Sequence, residues 1–246
     1  MHQLPVRALS ADPLNLGTAD CHLICYCDDG CDYAVKTLAD GLYIPHSEWF
    51  CKHLGDLIGI ASPDCRLVEV NGETAFGSRW ESGHDPKDWV GRLKNGQIEK
   101  SRAIPTVSRI FAFDLFVNNE DRHTNNYIVR PQNKGWSFLA FDHSRAWMAT
   151  QWPLPSAPMI QSLNTTLNFK IIDGLVGGLL DKSEFQKVLN RLRGIPKERI
   201  SQILQSQHDS WLSQVEKDDI ITYWASPYFF RRLDRIEEGL NLGNYV

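Results

Sequence analysis

The residues best suited to chemistry are Asp121-Arg122-His123-Thr124-Asn125-Asn126 and, sixteen positions beyond them, Asp142. Two carboxylates and a carboxamide within reach of one another offer the hard oxygens that magnesium prefers. Phosphoryl transfer asks little covalent work of a protein. It needs a cation for the nucleotide phosphates, metal ligands, and a carboxylate that orients the attacking hydroxyl. Asp121 is the candidate for the hydroxyl, Asn126 and Asp142 for magnesium, and Lys36 for the phosphates. An Asp and an Asn five apart are common in polar loops, where they make caps and turns. The addition of Lys36 and Asp142 is what narrows the reading.

Those residues need elements to hold them. A strand from His22 to Tyr26, the turn Asp28-Asp29-Gly30 and a strand from Tyr33 to Leu38 form a predicted hairpin with Lys36 near its far end. Ser47 is placed to cap a helix from Glu48 to about Ile58, with Phe50, Leu54, Leu57 and Ile58 as its apolar stripe and Gly59 as its stop. Arg66–Val70 and Thr74–Ser78 flank Asn71-Gly72, a strong hairpin signal. A polar connector, Trp80 to Lys100, leads to a helix from Ile104 that is apolar almost all round and so is expected in a core. The polar loop 118–126 follows, then the strands Tyr127–Val129 and Ser137–Phe141, whose hairpin returns Asp142 beside Asn126. Helices are expected over Glu184–Leu192, Lys197–Leu204 and Trp211–Trp224, with a last one capped by Ser226 with Pro227 at its first position. The sum is an α+β chain with a two-lobed, protein-kinase-like fold: a small β-rich N-lobe over about 1–82 and a larger, mostly helical C-lobe over about 83–246.

The spacing of Asp121 and Asn126 matches the Asp-x-x-x-x-Asn of a kinase catalytic loop. Phe113 to Asn126, with Leu139-Ala140-Phe141-Asp142-His143-Ser144, resembles the HipA-like kinases. More distantly, the string is similar to the Asp-Arg-His-x-x-Asn and Asp-Phe-Gly motifs of phosphatidylinositol 3- and 4-kinases. Weaker similarity runs back through Tyr33-Ala34-Val35-Lys36, Glu48 and Leu57 to Pro63, so that roughly residues 20 to 145 are covered. The resemblance implies ATP and Mg2+ as cofactors and Asp121 as the catalytic aspartate. It places His123 at the chemistry and against the nucleotide, Asn126 and Asp142 on the metal, and Ser78-Arg79-Trp80 at the hinge that meets adenine. Two departures stand out. No Gly-rich phosphate loop precedes Lys36, Asn15-Leu16-Gly17-Thr18-Ala19 being the one candidate, and Ser144 stands where a flexible Gly is expected. The chain is also shorter than toxin-type HipA proteins, which have an extra N-terminal subdomain.

Other polar residues carry two readings each. Glu48 either pairs with the phosphate lysine or, as a first helical residue, helps its helix through the dipole. Asp114, inside an apolar helix, must find a partner if buried, and Arg122 is the candidate, a loop anchor rather than a chemical group. His143 is assigned no role. Cys21, Cys25, Cys27 and Cys31, with His22, could be zinc ligands, but their spacing fits no familiar pattern and side chains alternate along a strand; structural thiols are the preferred reading.

The 246 residues suffice for a substantial core, and a formal charge of −4 without a Lys/Arg block argues against a nucleic-acid partner. The opening residues lack a signal peptide and no run is long enough to cross a bilayer, so the expected location is cytoplasmic, without a membrane partner. The combined reading is an ATP- and Mg-dependent phosphotransferase acting on a Ser or Thr hydroxyl of a protein. The alternatives are a lipid or small-molecule kinase, a pseudokinase or nucleotide-binding interaction module, and a metal hydrolase using Asp121, His123 and Asp142. The acceptor and any antitoxin-like regulator are not named by the sequence.

Overall fold

The computed structural model describes residues 4–13, 23–81, 89–133, 135–157 and 164–245. The candidate phosphate loop Asn15 to Ala19, Cys21, His22 and the connector's 82–88, where the lobe boundary was expected, lie outside them. The N-terminal region is a five-stranded barrel in the order β1 (Val6–Pro13), β2 (Leu23–Cys27), β3 (Asp32–Lys36), β5 (Glu73–Arg79), β4 (Cys65–Val70). It closes where β1 runs parallel to β4, Val6 opposite Val68 and Arg7 opposite Glu69. Strand β1 was not foreseen. Only Val6 and Ala8 are half-buried against the barrel core, alternating with exposed Arg7 and Leu9, and the rest of the strand is exposed, so the alternation is too short to mark a strand.

The two predicted hairpins form as their turns dictate. Asn71 and Gly72 both take positive φ, 51° and 82°, as a tight two-residue connection requires. In the other, Asp29 accepts the Cys31 N–H and Gly30 has φ 78°. Cys25 and Cys27 point inward with Tyr33, Val35, Val68 and Ala75, forming the barrel's own small core. Burial, with Cys25 alongside, pushes the Cys27 thiol up to about 12, so these two sulfurs act as apolar packing.

Between β3 and β4 lies α1 (Ile44–Ile58). It starts four residues before the expected Glu48, because Pro45 sits in the first turn, where its missing N–H costs nothing. Ser47 is therefore no cap. It is buried inside the helix, and its Oγ accepts the Ala149 N–H at 3.1 Å. Glu48 falls in the second turn, which removes the helix-dipole reading. Leu57 is also displaced from the stripe and is exposed. Gly59, left-handed at φ 80°, ends the helix as expected.

A short α2 (Trp89–Lys94) leads to α3 (Lys100–Val117), which begins four residues earlier than expected and is buried almost all round along its second half. After the loop come β6 (Tyr127–Gln132) and β7 (Gly135–Ala140), paired with each other. Next is α4 (Asn164–Val176), which was not foreseen, followed by α5 (Lys182–Arg193) and α6 (Lys197–Ser206). The expected helix from Trp211 is broken. Ser213 and Glu216 form a reciprocal capping box that starts α7 (Gln214–Trp224) afresh, leaving Asp209–Trp211 as a separate 3-10 turn. The final α8 (Pro227–Asn241) is capped by Ser226, as read. No helix among the described residues is long and apolar enough to cross a membrane.

Helix α1 belongs to the larger core rather than to the barrel's. Trp49, Phe50, Leu54 and Ile58 join one cluster with α3, α5, α6, α7 and α8. Phe50 stacks on Trp147 at 4.5 Å between ring centroids, and Trp49 meets Trp211 edge-on at 6.0 Å. His46, also on α1, is fully buried with Nδ1 2.6 Å from Gln207 Oε1, an arrangement that uses the neutral ring's N–H as donor. Burial lowers its pKa to about 4. A histidine held neutral in the folded state but free to charge when unfolded adds stability above about pH 6.5 and loses it as pH falls. Between about pH 6.5 and 5 the slope of unfolding free energy against pH should therefore drop by close to one proton in His46→Gln, measured by urea titrations at each pH.

Candidate active site

The amine of Lys36, buried at the end of β3, lies between two carboxylates. It donates to Glu48 Oε1 and, at 2.7 Å, to Asp142 Oδ1. Burial alone would pull the lysine pKa down, but Asp142 and Glu48 outweigh it and hold the ammonium charged. The same charge, against the opposing effect of burial, keeps the Asp142 carboxyl well below the usual range. For Glu48 burial pushes the pKa up, and Lys36 offsets part of that. Glu48 Oε1 also accepts the His143 backbone N–H at 3.0 Å, so α1 grips both the lysine strand and the segment that carries Asp142. Of the two readings of Glu48, pairing with the lysine is the one the geometry supports.

Asp142 has φ 64°, a left-handed conformation that Asp tolerates better than most residues. Ser144 steadies it, its Oγ donating to Asp142 Oδ1 at 2.5 Å. The neighbouring loop is organised from within. Asn126 Nδ2 donates to the Asp121 carbonyl at 2.9 Å, which fixes the five-residue spacing as a closed turn. His123 Nδ1 accepts the Asn125 N–H at 3.2 Å, capping the 3-10 turn Thr124–Asn126. Asp121 is partly exposed, its N–H donated to Asn119 Oδ1 at 3.2 Å. From outside, Trp89 Nε1 on α2 donates to the Thr124 carbonyl at 3.1 Å.

The loop and the Asp142 segment are joined by Arg122, which is almost wholly buried. Its guanidinium makes a two-pronged pair with Asp114 on α3, Nε to Oδ2 at 2.8 Å and Nη2 to Oδ1 at 3.0 Å. The remaining donors go to the carbonyls of Asn126, at 2.8 Å, and Phe141, and to His143 Nε2 at 3.1 Å. Burial, then the Arg122 charge, drive the His143 pKa well down, so this ring is a neutral acceptor. Asp114 thus finds the partner expected of it. His143, given no role by the sequence, proves to be part of the same buried network.

Lys36, Glu48 and Asp142 are brought into direct contact, and Asp121, His123 and Asn126 share the adjoining loop. Ser78, Arg79 and Trp80 lie at the exit of β5, Ser78 opposite Ala34 on the lysine strand, with the Arg79 and Trp80 N–H groups donated to the carbonyls of Asp64 and Asp32 at 2.7 and 2.8 Å. The Ser144 hydroxyl was not foreseen, nor was the contact of α4 with the loop. Ser144 acts on a side chain two residues away and α4 on the backbone of a loop far off in sequence, and neither leaves a periodic signal.

A buried lysine bridging a helix glutamate and an aspartate, beside an Asp-x-x-x-x-Asn loop under a β-barrel, defines a kinase-like chain. The model of the HipA-like kinase family matches residues 17–220, and the chain belongs to that family. Among solved structures it is similar to the Helicobacter pylori proinflammatory kinase CtkA. The TM-score is 0.61 at 13% identity, covering 97% of this chain and 99% of that one. It is also similar to Shewanella oneidensis MR-1 HipA, solved with HipB and its operator DNA, with TM-score 0.53 at 10% identity. That match covers 84% of this chain and 60% of the HipA chain. No curated protein matches the sequence.

The Arg122 network has a direct consequence for stability. Removing one partner strands a buried charge, so Asp114→Ala or Arg122→Met should each cost about 3–5 kcal/mol in urea unfolding. The paired variant Asp114→Leu/Arg122→Met should lose less than the worse of the singles.

Proposed function

We propose that the chain transfers the γ-phosphoryl group of ATP, with magnesium, to a Ser or Thr hydroxyl of a protein. The observation that carries the reading is the Lys36 ammonium held between Glu48 and Asp142, next to the loop bearing Asp121 and Asn126. Membership of the HipA-like kinase family supports it. In this reading residues 1–246 form one kinase domain, an N-lobe to about 82 and a C-lobe from about 83.

The residues present fit the cofactors. With Nδ2 given to the Asp121 carbonyl, the Asn126 side-chain oxygen is available as a ligand, and Asp142 stays ionised; a carboxylate and a carboxamide oxygen are the donors magnesium takes alongside phosphate. Magnesium at these two residues would neutralise charge developing on the phosphates. Lys36, already charged, would turn from Asp142 to the nucleotide while Glu48 keeps its stem in place. Asp121 would orient the acceptor hydroxyl and take its proton. His123 would stand beside the nucleotide, and Ser78-Arg79-Trp80 at the adenine end. The net charge of −4 gives no basic surplus for nucleic acid, and the cytoplasm, with its ATP, is the location that suits this chemistry. The HipA neighbour is solved with HipB and its operator DNA.

Purified protein given labelled ATP and magnesium should move label to itself or to added protein. Asp121→Asn should bind ATP within about threefold of wild type but lose transfer by about 10²-fold or more. Lys36→Ala and Asp142→Ala should weaken nucleotide use itself. A wild type that neither binds ATP nor transfers label would sink the proposal, and equal loss of binding in Asp121→Asn and Lys36→Ala would contradict the assigned roles.

A further inference from the structure

Helix α4 lies more than forty residues beyond the Asp121 loop in sequence, yet its first turns are joined to that loop by side chains. Thr165 is almost fully buried at the helix start. Its Oγ1 accepts the Arg122 N–H at 2.9 Å and donates to the Asn119 carbonyl at 2.5 Å. One hydroxyl therefore ties the backbone on both sides of Asp121. One turn along, Asn168 Nδ2 donates to the Arg122 carbonyl at 3.3 Å. Asn164, exposed at the very start of α4, brings its Nδ2 to 3.5 Å from Asp121 Oδ1.

We propose that α4 is the positioning element for Asp121, Thr165 setting the backbone of that residue and Asn164 the direction of its carboxylate. The inference rests on the reading of Asp121 given above. The loop's internal bonds fix the Asp121 backbone from the Asn119 and Asn126 side, but they leave its carboxylate untouched. Asn164 supplies the contact to that carboxylate among the described residues. At 3.5 Å the contact is long, within the range that catalytic hydrogen bonds take before substrate is bound. Because a buried hydroxyl has to be satisfied, the two bonds of Thr165 fall on the backbone groups that flank Asp121 and hold that stretch in place. The rate stakes are large, since displacement of a reacting group by about 1 Å can cost about 10²-fold.

The test compares full-length wild type, Thr165→Val, Thr165→Ser, Asn164→Ala and Asp121→Asn in steady-state transfer of label from ATP-Mg, with melting temperatures measured in parallel. Thr165→Val keeps shape but removes the hydroxyl; its kcat should fall by about tenfold or more with KM for ATP within about twofold. Thr165→Ser should restore most of the loss. Asn164→Ala, at an exposed position, should lower kcat by roughly threefold or more without shifting the melting temperature. If Thr165→Val does not fold, Asn164→Ala alone decides. An active wild type, silenced by Asp121→Asn but matched in kcat by Thr165→Val and Asn164→Ala, overturns this inference and leaves the reading of Asp121 standing. A kcat loss in Thr165→Val that Thr165→Ser does not repair also overturns it. Wild type that transfers no label at all overturns both together.

Discussion

The buried guanidinium of Arg122 is the constraint on which the site depends. A cation taken out of water survives only if its donors are met, and here they are met by groups from three separate stretches of chain. Asp114 comes from the core helix α3, the Asn126 carbonyl from the loop, and the Phe141 carbonyl with His143 from the far side of the β6–β7 hairpin. Moving any one relative to the others would strand a donor or an acceptor in a dry interior. The distance from Asp121 to Asp142 is thereby set by hydrogen-bond geometry around one side chain. The end of α3 is held in a similar way, Arg232 on α8 donating to the carbonyls of Leu115, at 2.7 Å, and Phe116, at 2.8 Å, just before the loop begins.

The Lys36–Glu48 contact has a different origin, which follows from where α1 is packed. This helix stacks Phe50 on Trp147 and buries Trp49 against Trp211, in a core that joins the C-terminal helices and also takes in Cys65, Leu67 and Phe76 of the barrel. Glu48 is therefore fixed to the same body as Arg122 and Asp142, and the barrel strand β3 delivers Lys36 to it. The ion pair then acts as a tie between the β-rich region and the helical part, since each of its members sits on a different one.

Much of this was readable in the string of residues, and for identifiable reasons. Hairpins with Asp-Gly or Asn-Gly turns, an all-apolar helix and a serine-capped amphipathic one declare themselves through backbone preference and periodicity. Lys36, Asp121, Asn126 and Asp142 stood out as a candidate set by residue type and spacing, and the fold brings Lys36 onto Asp142 and Asn126 onto the Asp121 carbonyl. Asp114 could be paired with Arg122 because a buried carboxylate in an apolar helix has to be answered. The remaining features depend on tertiary contact. Strand β1 half-buries only Val6 and Ala8, α4 bonds to a loop far away in sequence, and Pro45 started α1 before the more conspicuous Ser47. The Ser213–Glu216 capping box was legible but was run over by the apolar pattern on either side of it.

Ser144 illustrates how such a departure is absorbed. Where a glycine would supply free rotation two residues after Asp142, this chain has serine, and Asp142 itself adopts the left-handed conformation, at φ 64°, which for a residue with a Cβ costs about 1–3 kcal/mol. The surroundings hold it there. Ser144 Oγ bonds Asp142 Oδ1, Lys36 pulls on the same oxygen, and Glu48 takes the N–H of His143, the next residue along. A glycine at 144 would lack the first of these, the hydroxyl bond to Asp142. The serine instead makes Asp142 a preset group, so the strain is met by contacts that also aim its carboxylate.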